Sequence, residues 1–309
     1  MLNTIDSLQA KTVKALLLAS AMLVTLPAAF AQDVEISDTD TSAYDPRDFN
    51  GLWSRSPSIS GQPPCPECRD TLIFPNYGFH GEPPPRTPEG QRRFELNKPA
   101  RGLELNSEAA NQRTDLDIGF RRAVLPAFGN DPEMRCEPLG LPRLLTFAGG
   151  GGVMEMVQTN NRILQLFEWT WDFRDIWLDG RPIPDVEDYL PRFNGYSVGH
   201  LEGDTLVVTS TGFDDRQWLD QYGFPISEKA VLTERWDRPS PNRLRLVLTL
   251  DDPVTYTEPW TSSTKVWGLV PKEDMAVGGW SGIFEDRCVP SDESLFNTFR
   301  DRAAGLGSE

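Results

Sequence analysis

The feature that most constrains this chain is a period of two. In "RLRLVLTLDD", Leu244, Leu246, Leu248 and Leu250 fall on one side of an extended chain, and Arg243, Arg245, Thr249 and Asp251 on the other. A helix would scatter those leucines around its circumference, whereas a strand gathers them on one core face. The same texture begins at Val153. "VMEMVQ" and "RILQLFEW" flank "TNN", and "DFRDIWL" ends at the turn dipeptide Asp179-Gly180. "YSVGHL" and "TLVVTST" flank Glu202-Gly203-Asp204, "EKAVLTERWD" and the leucine run flank "RPSPN", and "TYTEPWTSSTKVWG" returns last. With Gly51–Arg55 this makes about nine strands. No long helix separates any two of them, and on that ground parallel crossovers are excluded. The predicted fold class is all-β: an antiparallel up-and-down barrel of about eight or nine strands, with a two-sheet sandwich as the alternative.

The ends of the chain read differently. Lys11 and Lys14 precede the apolar run "ALLLASAMLVTLPAAF", which closes on Ala29-Phe30-Ala31. That is the layout of a signal peptide over 1–31, and the run is short for a membrane span. Residues 32–50 are rich in Asp, Ser and Thr with little to bury, a flexible acidic leader. The barrel domain is expected over 51–290, interrupted by an irregular Pro/Gly-rich insertion at 57–150 that wraps the barrel or covers its mouth, and followed by a tail at 291–309. One short helix is expected to start at Thr87-Pro88-Glu89 and to end before Lys98, because Pro99 disfavours helix in the residue ahead of it.

Charge and cysteines narrow the setting. With 46 acidic against 30 basic residues the net charge is -16. Such a chain repels phosphate backbones and anionic lipid surfaces, so nucleic acid is excluded as a partner, and no membrane insertion is expected after signal cleavage. The four cysteines, Cys65, Cys68, Cys136 and Cys288, are an even number that suits an oxidising compartment, periplasmic or secreted. Three pairings are open; Cys136–Cys288 with a local Cys65–Cys68 ring is the expected one. "CPEC" lacks the following helix that a redox pair needs, and no ligand-spaced cluster for a metal exists. "GGGG" at 149–152 is followed by a strand rather than a helix, so it reads as a hinge and not as a phosphate loop.

Two resemblances can be placed on these residues. Gly51-Leu52-Trp53 ahead of a meander resembles the G-x-W opening of lipocalin-type (calycin) barrels. From Cys136 to Cys288, "CEPLGLPR", "VQTNN", "LEGDTLVV", "GFDDRQWLD", "ISE" and "DDPVTYTEPW" resemble motifs of a family of exported bacterial proteins: C-x-P-x-G-x-P-R, V-Q-T, W-E-G-D-T-L-V-V, G-F-N-D-x-T-W-L-D, H-S-E and D-D-P-x-x-[YF]-T-x-P-W. The resemblance implies a shared fold and location and no reaction. Leu201 stands where that pattern has tryptophan and Ile226 where it has histidine, so any mechanism needing an imidazole at 226 is closed to this chain.

Candidate chemistry is sparse. His80 and His200 are the only histidines, and "NGYSVG" is a poor match to a nucleophile elbow, with another strand and not a helix after it. Paired carboxylates are the better enzymatic option. Asp214, Asp215 and Asp220 surround Trp218 on one loop, and Glu234 shares parity with Ala230, Leu232 and Trp236, so it points into a barrel whose apolar face is inside. Structural ion pairs to Arg235, Arg174 or Arg216 are the competing reading. Glu234, Asp215, Asp220 and His200 are therefore the candidate catalytic residues. Tryptophan is abundant in the strand region, and indole N–H groups need partners when buried, which points to an aromatic-lined cavity. Trp169, Trp177, Trp218 and Trp236, with Arg174 and Tyr196, are the candidate ligand-binding residues. The expected function is binding of a small apolar or aromatic molecule in that cavity, with no cofactor; an acid–base enzyme (lyase, isomerase, hydratase or glycan-cleaving) is the alternative.

Overall fold

Ten strands form one sheet that closes on itself: β1 (Gly51–Ser54), β2 (Met154–Gln158), β3 (Arg162–Phe167), β4 (Phe173–Trp177), β5 (Tyr196–Glu202), β6 (Thr205–Thr211), β7 (Val231–Ser240), β8 (Arg243–Asp251), β9 (Trp260–Thr261) and β10 (Lys265–Leu269). The computed structural model describes residues 35–55, 78–79, 83–100, 124–146, 152–185, 189–271, 283, 288, 300 and 302–305. The expected signal peptide, Cys65, Cys68, His80, Gly149–Gly151 and much of the 57–150 insertion lie outside them. Neighbouring strands pair in chain order from β1 to β8, and β10 closes the ring by pairing with both β8 and β1. The two-residue β9 lies opposite Thr249 and Leu250, on the edge of β8 that β10 occupies further along. "TYTEPWTSSTKVWG" thus returns as one interrupted strand, and the barrel wall has nine members. The sandwich alternative is excluded.

One expectation fails. β4 and β5 pair in parallel, through Ile176↔Ser197 and Trp177↔Val198, and every other pair is antiparallel. Parity requires such a pair, because strands that alternate up and down around a closed ring must be even in number. A parallel connection needs enough chain to run back along the wall, and a helix is only its usual form. Here the stretch 178–195, which carries no helix among its described residues, supplies the length.

The inward positions are those that alternation selects. Leu244, Leu246, Leu248 and Leu250 are fully buried, as are Ile163, Ile176, Leu206, Val208, Leu232 and Trp236, and all join one apolar cluster with Trp53, Met154, Met156 and Trp267. Each such side chain stabilises the fold by roughly 1.5–3 kcal/mol. The tryptophans pack on one another inside, with Trp236 and Trp267 centroids 5.4 Å apart. Only about 10 Å³ of free volume remains among Leu144, Met154, Phe167, Trp169 and Trp267, room for a single water at most. Side chains thus occupy the barrel interior where a ligand cavity was expected.

Residues ahead of β2 close one end. Helix α1 (Pro88–Leu96) starts where its cap predicts, with Thr87 Oγ1 accepting from Gly90 N at 3.0 Å. It docks on the β8–β9 connection through Thr87 N donating to Thr255 O, and Phe94 stacks on Phe224 at 5.0 Å. Phe79, Phe224 and Tyr256 all pack edge-on against Trp260. The short helix α2 (Arg143–Thr146) brings Leu144 and Leu145 into the core. At the opposite end the acidic stretch before β1 is tied to the hairpins: Asp38 accepts from Ser240 and Asn242, Arg47 pairs with Asp204, and Tyr44 donates to Arg238 O.

Candidate functional site

The carboxylate that parity aims into the barrel is fully committed there. Glu234 is buried on β7, and Arg174 on β4 holds it bidentately with both N···O distances at 2.6 Å. Trp236 Nε1 donates to the same Oε2 at 2.8 Å, and Arg174 Nε donates to Gln165 Oε1 at 2.7 Å. A buried charge persists only with such partners.

The acidic loop after β6 divides its work. Asp214 closes a tight turn on Arg216, and Asp215 reaches Arg93 of α1 at 2.9 Å. Asp220 is buried and accepts from the backbone N–H groups of Tyr222 and Phe79. Desolvation pushes its carboxyl up to about 6, against the pull of those N–H groups and of Arg143. Arg143 itself is buried in a bidentate pair with Asp131 and a further contact to Glu133, and Trp218 lies 6.0 Å from its guanidinium. His200 points outward from β5, with Nε2 3.3 Å from Glu202.

These placements explain most of the quoted motifs. In "CEPLGLPR", Cys136 bonds to Cys288 and Arg143 carries the ion network. In "ISE" and "DDPVTYTEPW", Ser227 Oγ donates to Asp252 at 2.6 Å, and Tyr256 donates to Pro225 O at 2.9 Å. Ile226, where the resembled pattern has histidine, is fully buried apolar core.

The open site lies elsewhere, where β4 and β5 part. Below the two parallel pairs the strands diverge, and a cleft of about 850 Å³ opens between Phe173–Trp177 and Arg192–Val198, with the Cys136–Cys288 disulfide in its wall. Of the candidate ligand-binding residues, Arg174, Trp177 and Tyr196 line this cleft, Trp218 and Trp236 are core residues, and Trp169 packs on the core beside the small void. None of Glu234, Asp215, Asp220 and His200 is part of its lining.

The cleft's polar groups are held firmly. Asn194 Nδ2 donates to Asp172 Oδ1 at 2.9 Å and to Phe173 O at 3.1 Å. Both partners accept, so the amide cannot be turned over without losing both bonds. Its Oδ1 is consequently fixed toward the other side, buried and without a donor. Asp172 is partly buried, and desolvation raises its carboxyl above the usual range, opposed by Asn194 and the Phe173 N–H. Both bonds to Asp172 fall on Oδ1, leaving Oδ2 open among the described residues. The backbone beneath is rigid: Arg192 N donates to Gly212 O, and Arg192 O accepts from Gly195 and Asp214. Gly195 has φ +58°, and a Cβ there would meet the Thr211 carbonyl at 2.6 Å.

Aromatic rings make up much of its wall. Arg181 lies 3.7 Å from the Trp177 ring, Tyr189 stacks on Tyr196 at 4.0 Å, and Arg192 lies 4.5 Å from the Tyr196 ring. Trp171 and Phe173 are instead 48% and 58% exposed. Thr170 and Trp171 both have positive φ, 58° and 55°. A β-branched residue in the left-handed region costs on the order of 1–3 kcal/mol, and such strain gathers at functional sites. The sequence did carry a signal for this cleft: "WTWDFRDIW" places Phe173, Asp175 and Trp177 on the outward parity of β4, and two aromatics on a barrel's water face are unusual. In comparison with known proteins, no protein-family model, no curated protein and no solved structure matches the chain. What fold and site define together is a closed mixed β-barrel with a side cleft of ligand size.

Proposed function

We propose that this is an exported barrel protein that binds a small molecule with an apolar or aromatic face, seated in the cleft at the β4–β5 seam rather than inside the barrel. One observation carries the reading: Asn194 Oδ1, buried and without a donor, sits in the lining of a cleft whose neighbouring rings, Trp171 and Phe173, are half-exposed. Buried polar atoms are nearly always satisfied, so an orphan acceptor in a residue of the cleft wall calls for a donor from outside the chain, a water or a ligand. The cleft's volume is that of small-molecule sites in general. Export is supported by the lysine-then-apolar opening of the chain and by the Cys136–Cys288 bond. A leucine-rich interior and charged outer positions such as Arg235, Arg245 and Asp251 support a barrel in water, the reverse of a membrane barrel's arrangement.

The test is native mass spectrometry of protein purified from its own host, followed by titration of any co-purifying molecule. Phe173→Ala should weaken binding of that molecule about tenfold or more, and Trp236→Phe, in the packed interior, should leave it unchanged. A bound molecule indifferent to Phe173 and lost with interior substitutions would refute the placement.

A second reading, the acid–base enzyme, is favoured by Asp172, whose raised carboxyl lines the same cleft. It requires Asp172→Asn to abolish turnover while leaving the Kd of the bound molecule within about threefold. Turnover that survives the substitution excludes Asp172 as the proton-transfer group.

A further inference from the structure

The groups that face the cleft also bear on the charge and the polar groups of what fills it. Resting on the cleft reading above, we propose that the ligand is a hydroxylated ring acid: a ring whose hydroxyls donate to Asn194 Oδ1 and Asp172 Oδ2, and whose carboxylate is held by Arg192.

Charge pairing in the cleft leads to this. Arg174 is neutralised by Glu234, Arg181 by Asp179 and Asp175 by Arg162. Arg192 has no carboxylate within ion-pair distance among the described residues, although the chain carries 46 acidic residues to 30 basic. Its guanidinium is nevertheless positioned, lying 4.5 Å over the Tyr196 ring, and its backbone is fixed by three hydrogen bonds to neighbouring loops. A planar fork of N–H donors kept out of ion pairs and held at the cleft wall matches a carboxylate, which it binds bidentately.

The hydroxyls follow from the other two groups. Asn194 Oδ1 and Asp172 Oδ2 are acceptors with vacant positions, so neither is satisfied by a ligand carboxylate. They need O–H or N–H donors, and the half-exposed rings of Trp171 and Phe173 offer an apolar surface to the face of the ring bearing those donors. Sugar acids and phenolic acids share this chemistry, and neutral hydrocarbons do not. The net charge of -16 works against anions at long range, but a contact pair inside the cleft is decided by its nearest charges, since exposed charges beyond about 10 Å are screened.

Matched pairs test it by calorimetry at about 0.1 M ionic strength, where the net charge is screened: glucuronate against glucose, and 3,4-dihydroxycinnamate against 3,4-dihydroxycinnamyl alcohol. The acid of at least one pair should bind about ten- to a hundredfold more tightly than its neutral partner, the scale of one charge-assisted contact. The pair that shows the gap identifies sugar acid or phenolic acid. Arg192→Gln should erase the gap while leaving the neutral member's Kd within about twofold, and Arg192→Lys should restore part of it. Equal binding of acid and neutral member, lost in Phe173→Ala, would overturn the charge assignment and leave the cleft reading standing. An acid preference that survives Arg192→Gln overturns the role of Arg192. If neither pair binds, the inference falls, while the co-purified molecule judges the cleft reading separately.

Discussion

Glu234→Gln keeps the shape of the side chain and removes its charge, which isolates the contribution of the buried pair. In the native protein two guanidinium N–H groups reach the carboxylate at 2.6 Å each, and the Trp236 indole N–H reaches it at 2.8 Å. An amide has one oxygen for these three donors, and its NH₂ group would face a guanidinium that only donates. Arg174 would then be left charged and 2% exposed. Breaking a buried pair in this way costs about 3–5 kcal/mol. At roughly 2–4 °C per kcal/mol for a domain of this size, the melting temperature should fall by about 6–20 °C. The assay is urea denaturation and thermal melting followed by tryptophan fluorescence, since Trp236 and Trp267 report on the interior directly. The informative control is Arg174→Met with Glu234→Leu. With both charges gone the double variant should recover to within about 1–2 kcal/mol of the native protein or exceed it, because the desolvation penalty disappears with the pair. A loss below about 1 kcal/mol in Glu234→Gln, or a double variant as unstable as the sum of the single ones, would refute the account of a mutually dependent pair.

Asp220 gives a pH prediction of definite sign. Its native carboxyl titrates near 6, above the ordinary 3.8, so the folded protein holds that proton more tightly than the unfolded chain. Its contribution to stability is therefore full below pH 4 and lost as pH rises through 6, by an amount on the order of 3 kcal/mol. The stability gap between native protein and Asp220→Asn, from urea melts at pH 4, 5.5 and 7, should shrink with rising pH; a gap that stays level contradicts the buried-carboxyl account. Replacing Cys136 and Cys288 by serine opens a link between residues 152 apart and should cost about 2–5 kcal/mol, read from the same melts with and without reductant; unchanged stability would mean the link does not constrain the unfolded chain. His200→Ala removes an outward ring 62% exposed in its side chain and should change stability by less than about 0.5 kcal/mol and ligand binding not at all. Loss of turnover in that variant would reinstate His200 as a catalytic residue.

The barrel was legible because burial on one side of a strand writes itself into every second residue. Leu244 to Leu250, Glu234 and the tight turns at 203 and 241 all obey that local rule, and the cap at Thr87 obeys another. What closed the ring was not legible, since the pairings of β10 with β8 and with β1 lie far apart in sequence and leave no local mark. The partners of the candidate residues were not legible for a related reason. Parity told that Glu234 points inward but not that Arg174, sixty residues earlier, points at it, and a charge read alone looks reactive until its partner is known. Asn194 was passed over because a single asparagine in a turn has no signature; its orphan oxygen exists only once Asp172 and Phe173 have claimed the amide nitrogen.

The position of the cleft follows from the count of strands. A wall of nine cannot alternate all the way round, so one seam must run parallel, and here it is the shortest of the barrel's nine seams except for the β1–β10 closure, which also has two residue pairs. At the β1–β10 closure the neighbouring strands are tied onward on both sides. At β4–β5 the strands are joined by the long connection 178–195, and they pair only from Ile176 onward. That separation exposes side chains from both strands together with those of the returning segment, which is why the cleft mixes Trp171 and Phe173 with Asn194 and Arg192. A lipocalin-like barrel holds its ligand in the lumen. Here the lumen is spent on tryptophan and an ion pair, and the proposed binding surface lies instead at a seam in the wall where the described strands part. The exchange is testable as a whole. Substitutions at the seam should alter binding and spare stability, interior substitutions should do the reverse, and one residue that moves both equally, Arg174 excepted, would break the separation.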